Sequence, residues 1–335
     1  MKKRGKGVAI AFYGTGYGDG FPDVSRAEIR LLDDGKVGIY VGGTEVGQGA
    51  KTVFVQIAAE TLRISPEKIV LINEDTSETP DAGTAAASRQ TYNTGNAIKK
   101  ACENFIEILK EITKKELRLN STVGLIVKNG EVYLDIFPQK RISFEELSKR
   151  YRDNPISAKG EFVAQTVQMD PETGQGAPYW PYTFNACAVE VEVDTYTGEV
   201  TILKAKVAQD VGKAVNPKLI EGQIDGGFAM ALGYVLMEDL NLVEGQIRNL
   251  NFSRYLIPTA PDMVDVEKII IEDSHSTGPF GAKGIGEPVM IPVGPAILNA
   301  IYDAIGVRIT ELPATPEKII EALQRKELEE GRNSE

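Results

Sequence analysis

Two cysteines, Cys102 and Cys187, and one histidine, His275, are the only thiol and imidazole side chains in 335 residues. A structural zinc site or an iron-sulfur cluster takes about four such ligands, so this chain alone can hold neither, and any metal it uses must arrive with its own ligands. Cys102 lies on an apolar helical stripe and is expected in the core, while Cys187 leads a strand and is either core or free thiol. Long apolar runs are lacking too: none approaches the roughly 18 residues of a membrane span, and Met1 to Gly5 leads into a run too short and glycine-rich for a signal peptide. The expectation is a cytoplasmic protein with no membrane contact. There is no excess of basic residues either. The net charge is -11, with both signs mixed along the chain, which leaves no footprint for nucleic acid and mainly favours solubility.

What is present is a 42% hydrophobic, 25% charged composition, sufficient for two core-bearing units. Gly7 to Phe12 reads as a strand leading into Tyr13-Gly14-Thr15-Gly16-Tyr17-Gly18-Asp19-Gly20-Phe21. The spacing is wrong for a dinucleotide fingerprint and no Gly-Lys-Ser/Thr follows, so the aromatics Tyr13, Tyr17 and Phe21 suit either a substrate lip or a core cap. Ala27 to Leu32 and Val37 to Val41 form a hairpin around Asp33-Asp34-Gly35-Lys36, and Lys68 to Ile72 is a third strand. Between them Gly42 to Ala50 feeds a helix with Val53, Phe54, Ile57, Ala58 and Leu62 on one face. Such a turn is either an anion cradle at a helix N-terminus or an ordinary tight connection. Thr84 to Asn96 opens a second amphipathic helix through Ala97, Ile98, Ala101, Cys102, Phe105 and Leu109. Its hydroxyls and Arg89 suit a phosphate-bearing ligand, or a capped helix with a surface arginine.

Lys115 to Ile156 reads as an accessory insert, with a hairpin at Asn129-Gly130 and a capping box at Ser143 and Glu146. After the long connection Met169 to Phe184, the second half replays the first. Val189, Val191 and Val193 and then Val200 to Ala208 flank a turn at Thr195 to Gly198, and a helix follows Asn216-Pro217. That helix carries Gly222, Gln223, Gly226 and Gly227, a glycine-rich face that predicts a closely packed partner to which Gln223 can hydrogen-bond. Gly281-Ala282-Lys283-Gly284-Ile285-Gly286-Glu287-Pro288 then holds one carboxylate on a glycine-dense segment. Pro288 fixes the chain direction, so Glu287 is either an aimed base or a helix-entry residue facing the dipole. The pattern gives an α+β protein of the two-layer α/β kind, built from two similar mixed-sheet repeats. The expected domains are 1–158, with the hairpin insert, and 159–325, with 326–335 as a frayed charged tail.

Four separated motifs, Gly43 to Gly49, Thr84 to Asn96, Glu221-Gly222-Gln223 and Gly281 to Pro288, together resemble the molybdenum hydroxylases, the xanthine dehydrogenase and aldehyde oxidase family. The likeness runs from about Arg4 to about Ile320 and is to the second half of the large molybdopterin-binding region. Gly278 to Lys283 looks most like the medium molybdopterin subunit of nicotinate dehydrogenases, where that region is split between two chains. The resemblance implies two repeats of the molybdenum cofactor-binding type. It implies that Glu287 is the base that deprotonates the hydroxyl attacking the substrate carbon. It assigns Gly47, Gln48, Gly49, Ala86, Ala87, Ser88, Arg89, Gln90, Thr91, Gln223, Lys283, Gly284 and Gly286 to cofactor contacts, with Ala87 beside the molybdenum, which the pterin dithiolene holds. Tyr17, where the family usually has Phe, and Gly18 match its substrate side.

The implied cofactor is molybdenum-molybdopterin in its cytosine dinucleotide form. The implied partners are a second molybdopterin subunit, an Fe-S subunit and an FAD subunit, without which this chain should be inactive. The implied substrate is an N-heterocycle such as nicotinate, xanthine or another purine-like ring. An aldehyde- or carbon-monoxide-oxidising member is the alternative within the family. Outside it stand a non-catalytic cofactor-storage or assembly protein, which needs no Glu287, and an unrelated anion-binding module, which needs neither Gln223 nor the Gly281 to Pro288 match.

Overall fold

The computed structural model describes residues 1–18 and 23–332; Phe21 and the last three residues of the charged tail lie outside the described residues. The chain opens on a long strand, β1 (Lys2–Gly14), and continues into the hairpin of β2 (Val24–Leu31) and β3 (Val37–Tyr40), with Ile29 opposite Ile39. Its turn closes where expected, at Gly35, whose φ of 79° is the left-handed conformation glycine adopts freely. Helix α1 (Ala50–Leu62) then crosses to β4 (Ile69–Ile72), which runs parallel to β3. A short π-turn, Gln90–Thr94, leads into α2 (Gly95–Glu116), whose buried stripe of Ala97, Ile98, Ala101, Cys102, Phe105 and Leu109 is the one its periodicity predicts.

The insert forms its own small sheet, β5 (Leu125–Lys128), β6 (Glu131–Leu134) and β7 (Phe137–Ser143), the last strand being one the sequence did not suggest. The capping box is present at α3 (Phe144–Arg150): Ser143 Oγ accepts the Glu146 N–H at 3.1 Å, and the Glu146 carboxylate accepts the Ser143 N–H at 2.8 Å. Strand β8 (Ser157–Val163) returns antiparallel to β2, giving a first sheet ordered β4-β3-β2-β8.

The second module repeats that plan. Strands β9 (Tyr182–Asp194) and β10 (Val200–Asp210) form the hairpin, and α4 (Pro217–Leu236) leads through a small hairpin, β11 (Leu242–Val243) and β12 (Gln246–Ile247), to β13 (Val266–Ile271), parallel to β10. Helices α5 (Val293–Ile305) and α6 (Pro316–Arg332) complete the chain. The fourth strand of this sheet is β1, antiparallel to β9, and the order is β1-β9-β10-β13.

That pairing corrects the expected division at residue 158. Residues 2–14 complete the second sheet, and β8 belongs to the first. The two edge strands are structural equivalents. A Cβ at Gly160 of β8 would fall on the backbone of Ala97 and Ala101 in α2, and one at Gly7 of β1 would fall on Ala296 and Ala300 in α5. Each repeat therefore seats its second helix on a glycine of its edge strand, but in one the strand follows the helix and in the other it opens the chain.

The expected frayed tail is also corrected, because α6 continues to Arg332. Lys326 donates to the Ile305 carbonyl at the end of α5 at 3.2 Å and lies 3.9 Å from Glu330, fastening this helix where a charged sequence alone suggests fraying. The described stretch long and apolar enough to cross a membrane, Pro288–Ile305, is more than half buried and packs on β1 and β9.

Candidate functional site

Glu287 stands where the two modules meet. It precedes a single helical turn, Pro288–Met290, yet its side chain caps nothing there. The carboxylate reaches instead across to the first module, where Ser88 Oγ donates to Oε2 at 3.0 Å and the Ala87 N–H donates to Oε1 at 3.3 Å. The Glu287 N–H in turn donates to Ser88 Oγ at 2.9 Å, so one hydroxyl holds both ends of the residue. Tyr13 OH also donates to Oε2. Burial, followed by that bond to Glu287, holds the Tyr13 phenol well above its ordinary value and keeps it a donor.

This geometry rests on unusual backbone. Ala87 and Ser88 are consecutive non-glycine residues at φ 54° and 53°, a conformation costing about 1–3 kcal/mol each. The surroundings enforce it: Gly16 N–H donates to the Ala87 carbonyl at 3.0 Å, and Gly284 lies so close that a Cβ there would overlap the Ser88 carbonyl. From the other side, Lys283 N–H donates to the Val211 carbonyl at 3.0 Å and Asn185 Nδ2 donates to the Pro288 carbonyl, fixing the segment before and after Glu287. Local pattern did not mark Asn185. Tyr13 had a readable signal: Gly5, Gly7, Ala9, Ala11 and Tyr13 occupy the inward side of β1, a small-residue row against α5 that ends on the base.

Beside Glu287 opens a cleft of about 400 Å³ between the modules, bordered by Gln48, Ala86, Ser88, Gln223, Gly286 and Met290 among others. Gln48 and Gln223, far apart in sequence, meet here. Gln48 is turned onto its own loop, donating to the Thr44 carbonyl at 2.9 Å and accepting the Val46 N–H at 2.6 Å, which leaves one Nε2 proton for a ligand. Among the described residues, none gives the Gln223 amide a hydrogen-bond partner. Gly222 and Gly226 face open space on the same helix, whereas Gly227 is closed by Val289. Among the described residues, the expected close partner of this glycine face is therefore missing at two of the three positions. Gly47 is open as well, and Thr91 borders the cleft.

Several expected ligand residues are instead structural. Arg89 is neither a surface residue nor available to a phosphate: all five of its N–H donors are engaged internally, on Asp23, Ala82, Thr84, Val24 and Ser25. Lys283 is buried against Asp210, with Nζ 2.7 Å from its carboxylate. Gln90 bonds the Thr84 carbonyl and Thr94 hydroxyl inside the fold. The anion cradle at α1 is filled by the protein's own Glu45, which accepts the Gly47 and Gly49 N–H groups at 2.8 Å and that of Lys51 at 3.1 Å. Burial alone would push the Glu45 carboxyl up, but these donors outweigh it and hold it below its ordinary value. Gly49, at φ 87°, packs on Leu219.

Tyr17 and Gly18 do not line the cleft. Tyr17 has its ring 5.9 Å from the Arg89 guanidinium, and Gly18 lies under the Tyr179 ring. The aromatic on Glu287 is Tyr13. Cys102 and Cys187 are both core, and burial pushes the Cys187 thiol up to about 12. Burial, then the charge of Lys283, keeps His275 below its ordinary value and so neutral. Among the described residues no group of three or more His, Cys, Asp or Glu side chains converges to hold a bare metal ion.

The cleft thus offers glycine and alanine backbone, two side-chain amides and one carboxylate, with neither Arg89 nor Lys283 supplying a cation. That donor set fits a flat, hydrogen-bonding heterocyclic group better than a bare ion. Comparison with known proteins agrees. Residues 1–264 match the model of a molybdopterin cofactor-binding domain. The chain is 34% identical over 98% of its length to a probable xanthine dehydrogenase subunit from Bacillus subtilis, covering 43% of that protein. It is 33% identical over 96% of its length to the 6-hydroxypseudooxynicotine dehydrogenase complex subunit gamma of Paenarthrobacter nicotinovorans, covering 40% of it. Among solved structures, the aldehyde oxidoreductase from Desulfovibrio desulfuricans superposes with a TM-score of 0.79 at 34% identity, over 96% of this chain and 32% of that one. The chain spans less than half the length of these relatives.

Proposed function

The chain belongs to the molybdenum hydroxylase family as a molybdopterin-binding member, and from that premise we propose that it is one subunit of a molybdenum-dependent hydroxylase with Glu287 as general base. The observation that carries this reading is the carboxylate itself, fixed by residues of both modules at the rim of an amide-lined cleft. Gln48, Gln223 and the backbone at Gly47, Ala86 and Gly286 would hold molybdopterin, in its cytosine dinucleotide form. When bound, that cofactor supplies a water-derived oxygen nucleophile and takes two electrons from the substrate.

The contribution of this chain is to place and receive a proton. Oε2 of Glu287 already accepts from Ser88 and Tyr13, whereas among the described residues Oε1 accepts only the long bond from Ala87 N–H. Oε1 is therefore the oxygen with capacity for the proton of the nucleophile. Because Ser88 grips both the carboxylate and the Glu287 N–H, that oxygen is held in one place, which is what general-base catalysis requires. A storage or assembly protein has no use for such an arrangement.

The proposed substrate is an N-heterocycle, supported by the names of the xanthine and 6-hydroxypseudooxynicotine relatives. An aldehyde is the second reading, favoured by an aldehyde oxidoreductase from Megalodesulfovibrio gigas at 34% identity. The proposed setting is a cytoplasmic complex with a second molybdopterin subunit and with Fe-S and FAD subunits that carry the electrons away. Co-expression with the neighbouring genes, followed by metal analysis and identification of bound chains, should give stoichiometric molybdenum and a second molybdopterin subunit. Recovery of a lone, metal-free chain would refute the proposal.

A further inference from the structure

Between the end of α4 and the start of β13, residues 239–259 form an arm built around the β11–β12 hairpin. Its course is well defined by polar bonds. Glu244 and Gly245, at φ 51° and 75°, make the tight turn. Asn249 clamps the base of the hairpin by donating to the Asp239 carbonyl at 2.5 Å and accepting the Asn241 N–H at 3.1 Å. Tyr255 OH ties the arm back to Glu238 at 2.6 Å, and Pro258 rests on Gly233 of α4.

Its apolar side chains have no such support. Leu250 is 79% and Phe252 73% exposed, with Leu240, Leu242, Val243 and Leu256 exposed beside them, and neither hydrophobic core includes any residue of the arm. A lone two-stranded hairpin is marginal in water, and apolar surface this dense on a soluble protein marks an interface.

We propose that this arm clasps the chain carrying the rest of the molybdopterin-binding region. The identity of that partner rests on the function proposed above. Three observations select it. More than half of each relative described above has no counterpart in this chain. The exposed side of α4 is continuous from cleft to arm: Gly222, Gly226, Met230 and Tyr234 recur every fourth residue between them, so a body gripped by the arm lies along the cofactor cleft. The arm is also neutral, with Asp239 and Glu244 balanced by Arg248 and Arg254, on a chain of net charge -11. That suits burial, whereas a second copy would bring another chain of net charge -11 against the first, with whole-molecule repulsion opposing the pairing.

The test compares hydrogen exchange of the full chain, free and in its purified complex, and pairs it with the double variant Leu250→Asp/Phe252→Asp. Both residues lie outside the cores, so the variant should keep the circular dichroism and melting temperature of the parent. The arm amides should be protected only in the complex, and partner recovery should fall by roughly 30-fold or more. A molybdenum-containing complex whose arm exchanges as fast as in the free chain, or a variant that recovers its partner undiminished, overturns the clasp and leaves the proposed function standing. Protection of the arm in a dimer of this chain alone also overturns it. Wild-type protein that brings down neither molybdenum nor a second chain overturns both readings.

Discussion

Arg89 separates a structural role from a ligand role. Its sequence setting, at a helix start among hydroxyls and small residues, fits a phosphate contact, whereas its side chain in the fold is 1% exposed and is paired with Asp23 at 7%. Arg89→Met keeps the hydrocarbon stem but removes five hydrogen bonds and leaves the Asp23 carboxylate buried without its cation, although Asn93 still donates to it at 2.8 Å. Breaking a buried pair from one side costs about 3–5 kcal/mol, because the surviving charge is neither solvated nor paired. At about 2–4 °C per kcal/mol for a unit of this size, the melting temperature should fall by roughly 6–20 °C. Adding Asp23→Asn should recover part of that loss, since the stranded charge is then gone. Thermal denaturation followed by circular dichroism, with molybdenum measured on the same preparations, reads both quantities. An Arg89→Met protein that melts like wild type but has lost its cofactor would refute the structural assignment.

Gly284→Ala should destabilise by about 1–3 kcal/mol through overlap with the Ser88 carbonyl, and turnover should fall with it. Gly286→Ala should melt like wild type, since its Cβ would lie 3.7 Å from Ser88 Oγ and 3.9 Å from Gln223 Oε1. Equal melting temperatures for the two variants would contradict the close approach. Glu45→Ala should cost about 1–2 kcal/mol by uncovering N–H donors at the start of α1. The Glu45 carboxyl titrates below its ordinary value of 4.5 in the fold, so its stabilisation is complete above that value and is lost as pH falls through the lowered one. The wild-type and Glu45→Ala stability curves should therefore converge in acid, and a constant gap at all pH values would contradict the capping role.

The features legible in the sequence are those set by neighbours a few residues apart. The Asp33-Asp34-Gly35-Lys36 turn, the stripe of α2 and the Ser143–Glu146 box all formed where their patterns put them. For Glu287 the local pattern left an aimed carboxylate and a helix-entry residue both open. What escaped is non-local. Lys2–Gly14 reads as a strand, but nothing in it states that its partner is Tyr182–Asp194 rather than the adjacent hairpin. Arg89 looks free because Asp23 lies far away along the chain, and the helix start at Ala50 looks like an empty cradle until Glu45 is seen folded back into it. The motifs showed which loops converge, and only the fold showed which of their side chains were already engaged with one another.

The central claim is that Glu287 takes a proton and does not hold the cofactor. Turnover and molybdenum content of the Glu287→Gln complex test it most directly. With its amide oxygen in the place of Oε2, glutamine can still accept from Ser88 and Tyr13 and gives up only the long bond from the Ala87 N–H, so molybdenum should remain at wild-type stoichiometry while turnover falls by about 10²–10⁴-fold, the usual contribution of a positioned base. Full activity would remove Glu287 from the chemistry, and loss of molybdenum in step with activity would make it a structural or cofactor-holding residue.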